Sequence, residues 1–488
     1  MQRRHDSRWL PLAVLAGAGG GAMALTAMLT AAFAFGDTTA LIMGGSGVPV
    51  PPPLYVSTIN DLYLDCVRPL CTTQPLTTPE GLYPITGVKT LPTDTSIAQG
   101  LTILNGAIGK QLADGHDVTV FGWSQSAAIA SLEMTDIVNG SAGISPSPDQ
   151  LNFMLVGDPS NPNGGLLSRF DLPPGSSPSI PSLGITFTGA TPVTEYPTTI
   201  YTAEYDGFAD FPRYPINFLS DYNALLGLLF AHTLYPTYTP EQLASAVEVP
   251  TSPGYDGATT YYMIPTEDLP LLDPVRMIPV LGPLVADLLQ PDLTVLVNLG
   301  YGDPSYGWVN ENADVSTPLG VSPSWDHVVK AFEMLGPGTV QGIENVINDL
   351  KDPAQLFDLS DNPISNLLKN PVLAEIAANF FPSSDLPGGL QSIPDALSAA
   401  LSNVYATFLP LADIINAVQS TLATYDVSIF LNELGNGDLV DAIGLPLAAN
   451  TGLVAVAQMF EIAVVAEAAV FVGMDLASPF TDVANLIP

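Results

Sequence analysis

The strongest constraint on how this chain can fold is a single junction. Val118-Thr119-Val120-Phe121, a β-prone run, passes through Gly122-Trp123-Ser124-Gln125-Ser126 directly into Ala127-Ala128-Ile129-Ala130, a helix start. A strand that reverses into a helix over so few residues holds its middle residue on a sharp, strained turn, and small neighbours two positions away let that turn fit between sheet and helix. Gly122 meets the requirement. Ser126 takes the place of a second glycine, still small but carrying a Cβ, and the turn is expected to survive it.

The surrounding pattern repeats strand and helix. Thr39-Ala40-Leu41-Ile42-Met43 is an apolar run that stops at Gly44-Gly45-Ser46-Gly47 and a proline-rich loop, and reads as a buried strand with a tight turn. Thr95 to Leu112 carries Ile97, Leu101, Leu104, Ile108 and Leu112 at helical spacing. Further strands are expected at Asn152–Val156, ending in Gly157-Asp158-Pro159, at Thr199–Tyr205, ending in Asp206-Gly207, and at Leu293–Leu299. Strands alternating with helices imply a mostly parallel sheet covered on both faces.

The 488 residues divide unevenly around this core. Arg3, Arg4 and Arg8 precede a stretch from Trp9 to Gly36 without a charged residue, and Ala32-Phe33-Ala34 matches a cleavage signal. Residues 1–36 are thus expected to be a signal peptide or a signal anchor, and the chain to be exported to the cell envelope, either secreted or membrane-anchored. The α/β domain spans 37–310, a linker 311–326, and an acidic helical module 327–488. From Asn370 onward there is no lysine or arginine. Within the module Leu453–Met474 is apolar and rich in small residues but carries Glu461 and Glu467, which favours buried packing or a partner-binding face over a membrane span.

Charge excludes one class of partner. With 12 basic against 48 acidic residues the net charge is −36, which repels nucleic acid. The two cysteines, Cys66 and Cys71, suit a small-loop disulfide in an oxidising compartment and are too few for a cysteine-based zinc site. No metal or cofactor is expected.

Ser124 at the tip of its turn is a candidate nucleophile, provided an imidazole can take its proton and a carboxylate can hold that imidazole. Four histidines are available. His5 lies in the export segment and His116 at the wrong end of the strand that carries Ser124, which leaves His232 and His327. His232, between an apolar segment and a proline-rich loop, is preferred. Asp206, just past a strand at the carboxyl edge of the sheet, is the expected acid; Asp210 is its rival, and Asp158, abutting proline, suits a loop cap. Oxyanion donors are expected from the Gln125 backbone N–H and from the glycine loop near Ser46. That loop lacks the Gly-Lys-Ser/Thr ending of a phosphate cradle.

Gly44-Gly45-Ser46-Gly47, Gly122-Trp123-Ser124-Gln125-Ser126, Gly157-Asp158-Pro159-Ser160-Asn161-Pro162-Asn163-Gly164-Gly165 and Tyr205-Asp206-Gly207-Phe208-Ala209-Asp210-Phe211-Pro212, in this order, resemble the PE-PPE domain of mycobacterial α/β serine hydrolases. Tyr214-Pro215-Ile216-Asn217, Ala231-His232 and Leu269-Pro270-Leu271-Leu272 continue the resemblance, which covers roughly residues 38–303. It implies a cutinase-like α/β-hydrolase fold, nucleophile Ser124, acid Asp206, base His232 and oxyanion donors at Gln125 and near Ser46. It also implies esterase activity on acyl esters of envelope lipids or glycolipids, or acyl transfer between trehalose glycolipids. Two departures stand out: an export segment precedes the domain where a PE or PPE module would, and the helical C-terminal module, which could hold a protein or lipid partner, falls outside the resemblance. A binding or scaffold protein that keeps the fold without turnover is the rival reading.

Overall fold

The computed structural model describes residues 37–66, 70–351, 369–380 and 392–484. The export segment expected at 1–36 lies outside them, as does the side chain of Glu467. The strands are β1 (Thr38–Ile42), β2 (Cys71–Pro75), β3 (Asp117–Trp123), β4 (Leu151–Val156), β5 (Ser179–Ile180), β6 (Ile185–Thr186), β7 (Thr198–Ala203), β8 (Val247–Val249) and β9 (Thr259–Ile264). Among the described residues seven of them form one sheet in the order β2-β1-β3-β4-β7-β9-β8, while β5 and β6 pair separately. All its pairings are parallel except β8 with β9. This is the arrangement of an α/β-hydrolase sheet.

Alternation along the strands explains why both faces are covered. Leu41, Val118, Val120 and Leu155 point to one face, where they pack with Leu104 and Ile108 of helix α1 (Thr93–Ala113) and Ile129 and Met134 of α2 (Gln125–Asn139). Their neighbours Ile42, Phe121, Trp123 and Val156 point to the other, against Tyr55, Ile59, Tyr63 and Tyr235. Period two along a strand with apolar residues at both phases leaves neither face for solvent.

The strand order fixes where a ligand can sit. From β1 the chain moves outward to β2 and then returns to the other side at β3, so the loops after β1 and β3 diverge, and a crevice opens between them at the carboxyl edge. Register brings the other ends to the same edge: Trp123 lies opposite Val156, and Val156 opposite Tyr201. The loops carrying Ser46, Ser124, Gly157 and Asp206 therefore converge.

One expected element is corrected. Leu293–Leu299 is not a strand but the end of a helix, Leu281–Asn298. A short apolar run bounded by glycine fits either state, and Pro291 hides the continuation to the N-terminal side. The helix is held by a long partner, Trp325–Asp349, whose Thr339 hydroxyl donates to Asp292 at 2.6 Å and whose Asn345 amide donates to the Asp287 carbonyl at 3.3 Å. The segment expected as a linker is tied along the body: Arg169 donates to Thr317, and Ala313, Thr317 and Leu319 are buried.

The C-terminal helices include Phe408–Asn416, Leu422–Asn436 and Leu439–Ala484. They pack on the body through Ile414, Tyr425, Leu445, Leu453 and Phe460, which meet Phe170, Leu183, Phe187 and Phe211. Polar bonds fix the seam: Tyr425 donates to the Phe170 carbonyl at 2.8 Å, and Tyr83 donates to Asp413 at 2.7 Å. Two stretches, Pro394–Asn436 and Leu439–Met474, are long and apolar enough to cross a membrane by length and composition. Their inner faces are the ones that pack on the body.

Candidate active site

The turn after β3 has the strain its sequence implies. Ser124 sits at φ 60°, ψ −120°, a conformation a non-glycine residue holds only where its surroundings impose it. A Cβ at Gly122 would fall 2.7 Å from the Ser126 carbonyl oxygen, so glycine is required there. Ser126 does more than fill space: its hydroxyl accepts from the Trp123 N–H at 2.8 Å and donates to the Trp123 carbonyl at 3.0 Å, closing the turn from inside.

Three side chains expected to act together do meet. The Ser124 Oγ lies 2.7 Å from His232 Nε2, and His232 Nδ1 lies 2.8 and 2.9 Å from the two carboxylate oxygens of Asp206. An ionised carboxylate only accepts, so Nδ1 carries the proton and Nε2 of the neutral ring accepts from the serine hydroxyl. All three are buried, with Ser124 and His232 at 5% and 6% exposure and Asp206 at 0%. Asp206 is held by more than the imidazole. It accepts from the N–H groups of Phe208 and Ala209 at 2.9 and 3.3 Å and from the Tyr235 hydroxyl at 2.8 Å. Phe208 stands edge-on to the imidazole with ring centres 4.9 Å apart, and the Trp123 indole N–H donates to the His232 carbonyl at 3.3 Å.

Tyr235 escaped the sequence reading. Its hydroxyl donates to Asp206 and accepts from the Ala203 N–H at 2.8 Å, so it ties the acid to the end of β7. Burial, and then the charge of Asp206, hold its phenol well above the ordinary value, which keeps it a donor. A tyrosine three residues after a histidine gives no signal of this role.

Gln125, the first residue of α2, puts its backbone N–H at a helix N-terminus beside the Ser124 hydroxyl, where the helix dipole favours a negative oxygen. Its side chain, also missed, braces the opposite wall. The amide donates to the Gly81 carbonyl at 2.7 Å and to the Ser46 hydroxyl at 3.3 Å, and its oxygen accepts from Ser96 at 2.6 Å. Gly45 packs so close that an added Cβ would lie 3.1 Å from the Trp123 ring and 3.3 Å from the Ser124 Cβ.

A pocket of about 980 Å³, its open mouth included, starts at Ser46, Ser124 and Gln125. Of its other lining residues among those described, only Thr93 is polar. Leu183, Phe187 and Phe208 from the body face Ala417, Leu453 and Phe460 from the C-terminal helices across it.

The rival residues lie elsewhere in role. Asp210 is fully buried, accepts from the Tyr205 N–H at 3.0 Å and faces Arg169; burial holds its carboxyl well above the ordinary range. Asp158 accepts from the Ser160 N–H at 2.9 Å and the Thr191 hydroxyl at 2.6 Å and caps its own loop, with burial pushing it up to about 6. His327 lies in the first turn of its helix, its N–H bonded to Ser324, and His116 bonds Gln111 at 2.8 Å below the sheet. Cys66 and Cys71 form a disulfide with Cα atoms 5.2 Å apart, tying β2 to the end of the preceding helical segment.

Known proteins resemble this chain over most of its length. The PE-PPE domain profile matches residues 69–302. An uncharacterized PPE family protein, PPE28 of Mycobacterium tuberculosis, is 42% identical over 467 residues, covering 93% of this chain and 69% of the relative. Esterase PE16 of the same organism is 47% identical over 325 residues, 65% of this chain and 59% of its own length, so this chain spans less than two thirds of that relative. The SL1278 acyltransferase Chp1, also of Mycobacterium tuberculosis, is 28% identical over 289 residues, 58% of this chain and 68% of its own. The chain belongs to the PE-PPE domain family.

Proposed function

We propose that this protein is a serine hydrolase that takes an acyl group from an ester of a cell-envelope lipid or glycolipid onto Ser124 and hands it to water or to a sugar hydroxyl. The carrying observation is the 2.7 Å contact between the Ser124 hydroxyl and His232 Nε2, with Asp206 behind the ring. Ser124 Oγ attacks the ester carbonyl carbon as its proton moves to Nε2, and Asp206 stabilises the imidazolium. The carbonyl oxygen takes the negative charge and is met by the Gln125 N–H and a donor of the Ser46 loop. Collapse breaks the ester C–O bond, the alcohol leaves with the proton from Nε2, and the acyl group stays on Ser124. The acceptor then gives its proton to the same nitrogen and carries the acyl group away.

The relatives support both outcomes, one being named an esterase and another an acyltransferase. Transfer gains support from the burial of Ser124 and the apolar pocket, which keep water scarce around the acyl-enzyme. On this reading residues 1–36 carry the domain out to the envelope. Ser124→Ala should abolish turnover of a chromogenic ester while leaving the fold intact; undiminished turnover would remove the proposal. With an acylated trehalose as the sole substrate, a more highly acylated product identifies transfer, and free fatty acid alone identifies hydrolysis.

A further inference from the structure

The helices beyond residue 408 lie outside the matched domain, yet they form one side of the pocket that begins at Ser124. Ile414, Ala417, Val418, Leu453, Val454 and Phe460 all line it. Their partners across the cavity, Leu183 and Phe187, are themselves buried in the cluster that joins the two parts. The wall is therefore fixed in place by the same packing that seats the helices. Val418 and Val454 both line the cavity and stay half exposed, at 53% and 48%, so the cavity reaches the surface between these helices.

The chemistry of the lining names its occupant. Ser46, Ser124 and Gln125 gather at the catalytic end, and beyond them, among the described residues, Thr93 alone offers a polar group. A sugar or headgroup placed there would leave its hydroxyls without partners, which is costly in an apolar site. An alkyl chain instead gains free energy with each methylene it buries. A short acyl group would leave most of the space unfilled.

We infer that the C-terminal helices are the acyl-chain wall of the site, and that they make long-chain fatty acyl esters its preferred substrates. The inference rests on the proposal that Ser124 accepts the acyl group, and its test separates the two. The full chain is given acetyl, octanoyl and palmitoyl esters of one chromogenic alcohol, with fluorophosphonate labelling of Ser124 as the count of active sites. Wild type should favour palmitoyl over acetyl in kcat/KM. Ala457→Trp, which fills the cavity from its C-terminal side, should lower the palmitoyl-to-acetyl ratio about tenfold or more while acetyl turnover per labelled site stays within about twofold. Val418→Trp, at the half-exposed mouth and so tolerant of bulk, should move the ratio the same way even if Ala457→Trp does not fold. Ile462→Trp, exposed and outside the lining, should leave it unchanged. An active wild type indifferent to chain length, or Ala457→Trp and Val418→Trp variants that label normally and keep the wild-type ratio, overturns the inference and spares the function. A wild type that neither labels nor turns over any ester overturns both.

Discussion

Replacing Tyr235 by phenylalanine isolates a support of the site that touches no part of the lining. The Tyr235 hydroxyl bridges the Ala203 N–H and the Asp206 carboxylate, each at 2.8 Å, in surroundings where Tyr235 and Ala203 are both at 0% exposure. Removing the oxygen strands the buried N–H, at about 1–3 kcal/mol, and deletes a hydrogen bond to a charged group, at about 1.5–3 kcal/mol. The two losses share one atom and do not add in full. Asp206 keeps its bonds to Phe208, Ala209 and His232, so the expected destabilisation is about 2–4 kcal/mol. For a body of this size that lowers Tm by about 2–5 °C. Activity should fall through kcat, by about tenfold for each 1.4 kcal/mol of lost positioning, with KM nearly constant because Tyr235 lies outside the pocket. Thermal unfolding and steady-state ester hydrolysis on the same preparation measure both. A Tm and kcat equal to wild type would refute the claim that this hydroxyl holds the acid, and a rise in KM alone would place Tyr235 against substrate instead.

Three further outcomes follow from the same contacts. Ser126→Ala removes the acceptor of the Trp123 N–H inside the turn and should cost about 1–3 kcal/mol in chemical denaturation; an unchanged midpoint would mean that the hydroxyl is not closing the turn. Gly45→Ala puts a methyl 3.3 Å from the Ser124 Cβ and 3.1 Å from the Trp123 ring, and should lower kcat while the protein still folds, which steady-state kinetics beside a far-ultraviolet spectrum can check. Glu80, buried and pushed up to about 8 from 4.5 chiefly by burial, is protonated in the folded chain where the unfolded chain is ionised. Stability should thus be undiminished below about 4.5 and be lost progressively as pH rises toward about 8. Glu80→Gln removes that slope, so its Tm relative to wild type should climb between about pH 5 and pH 8; a constant difference would contradict the assignment.

How much of this was legible beforehand depends on whether a residue's task is local. The Ser124 turn is local: a β-prone run, a glycine, and a helix start decide it. His232 emerged from the small number of histidines and the order of elements. Tyr235 and the Gln125 side chain act on partners far along the chain, and nothing within a few residues of either marks them. Leu293–Leu299 misled because seven apolar-rich residues satisfy strand and buried helix equally, and only packing against Trp325–Asp349 decides. The C-terminal helices were legible as helices but not as a wall of the pocket. A helix apolar all round, like Leu439–Ala484, does not announce which face turns inward.

The central claim is that His232, held by Asp206, draws the proton from the Ser124 hydroxyl. Treating the protein with a fluorophosphonate and locating the adduct by peptide mass spectrometry tests it directly. In wild type the adduct should sit on Ser124, and in His232→Gln its rate of formation should drop by about a thousandfold or more. Labelling at another residue, or labelling of Ser124 at an undiminished rate without the imidazole, would contradict it.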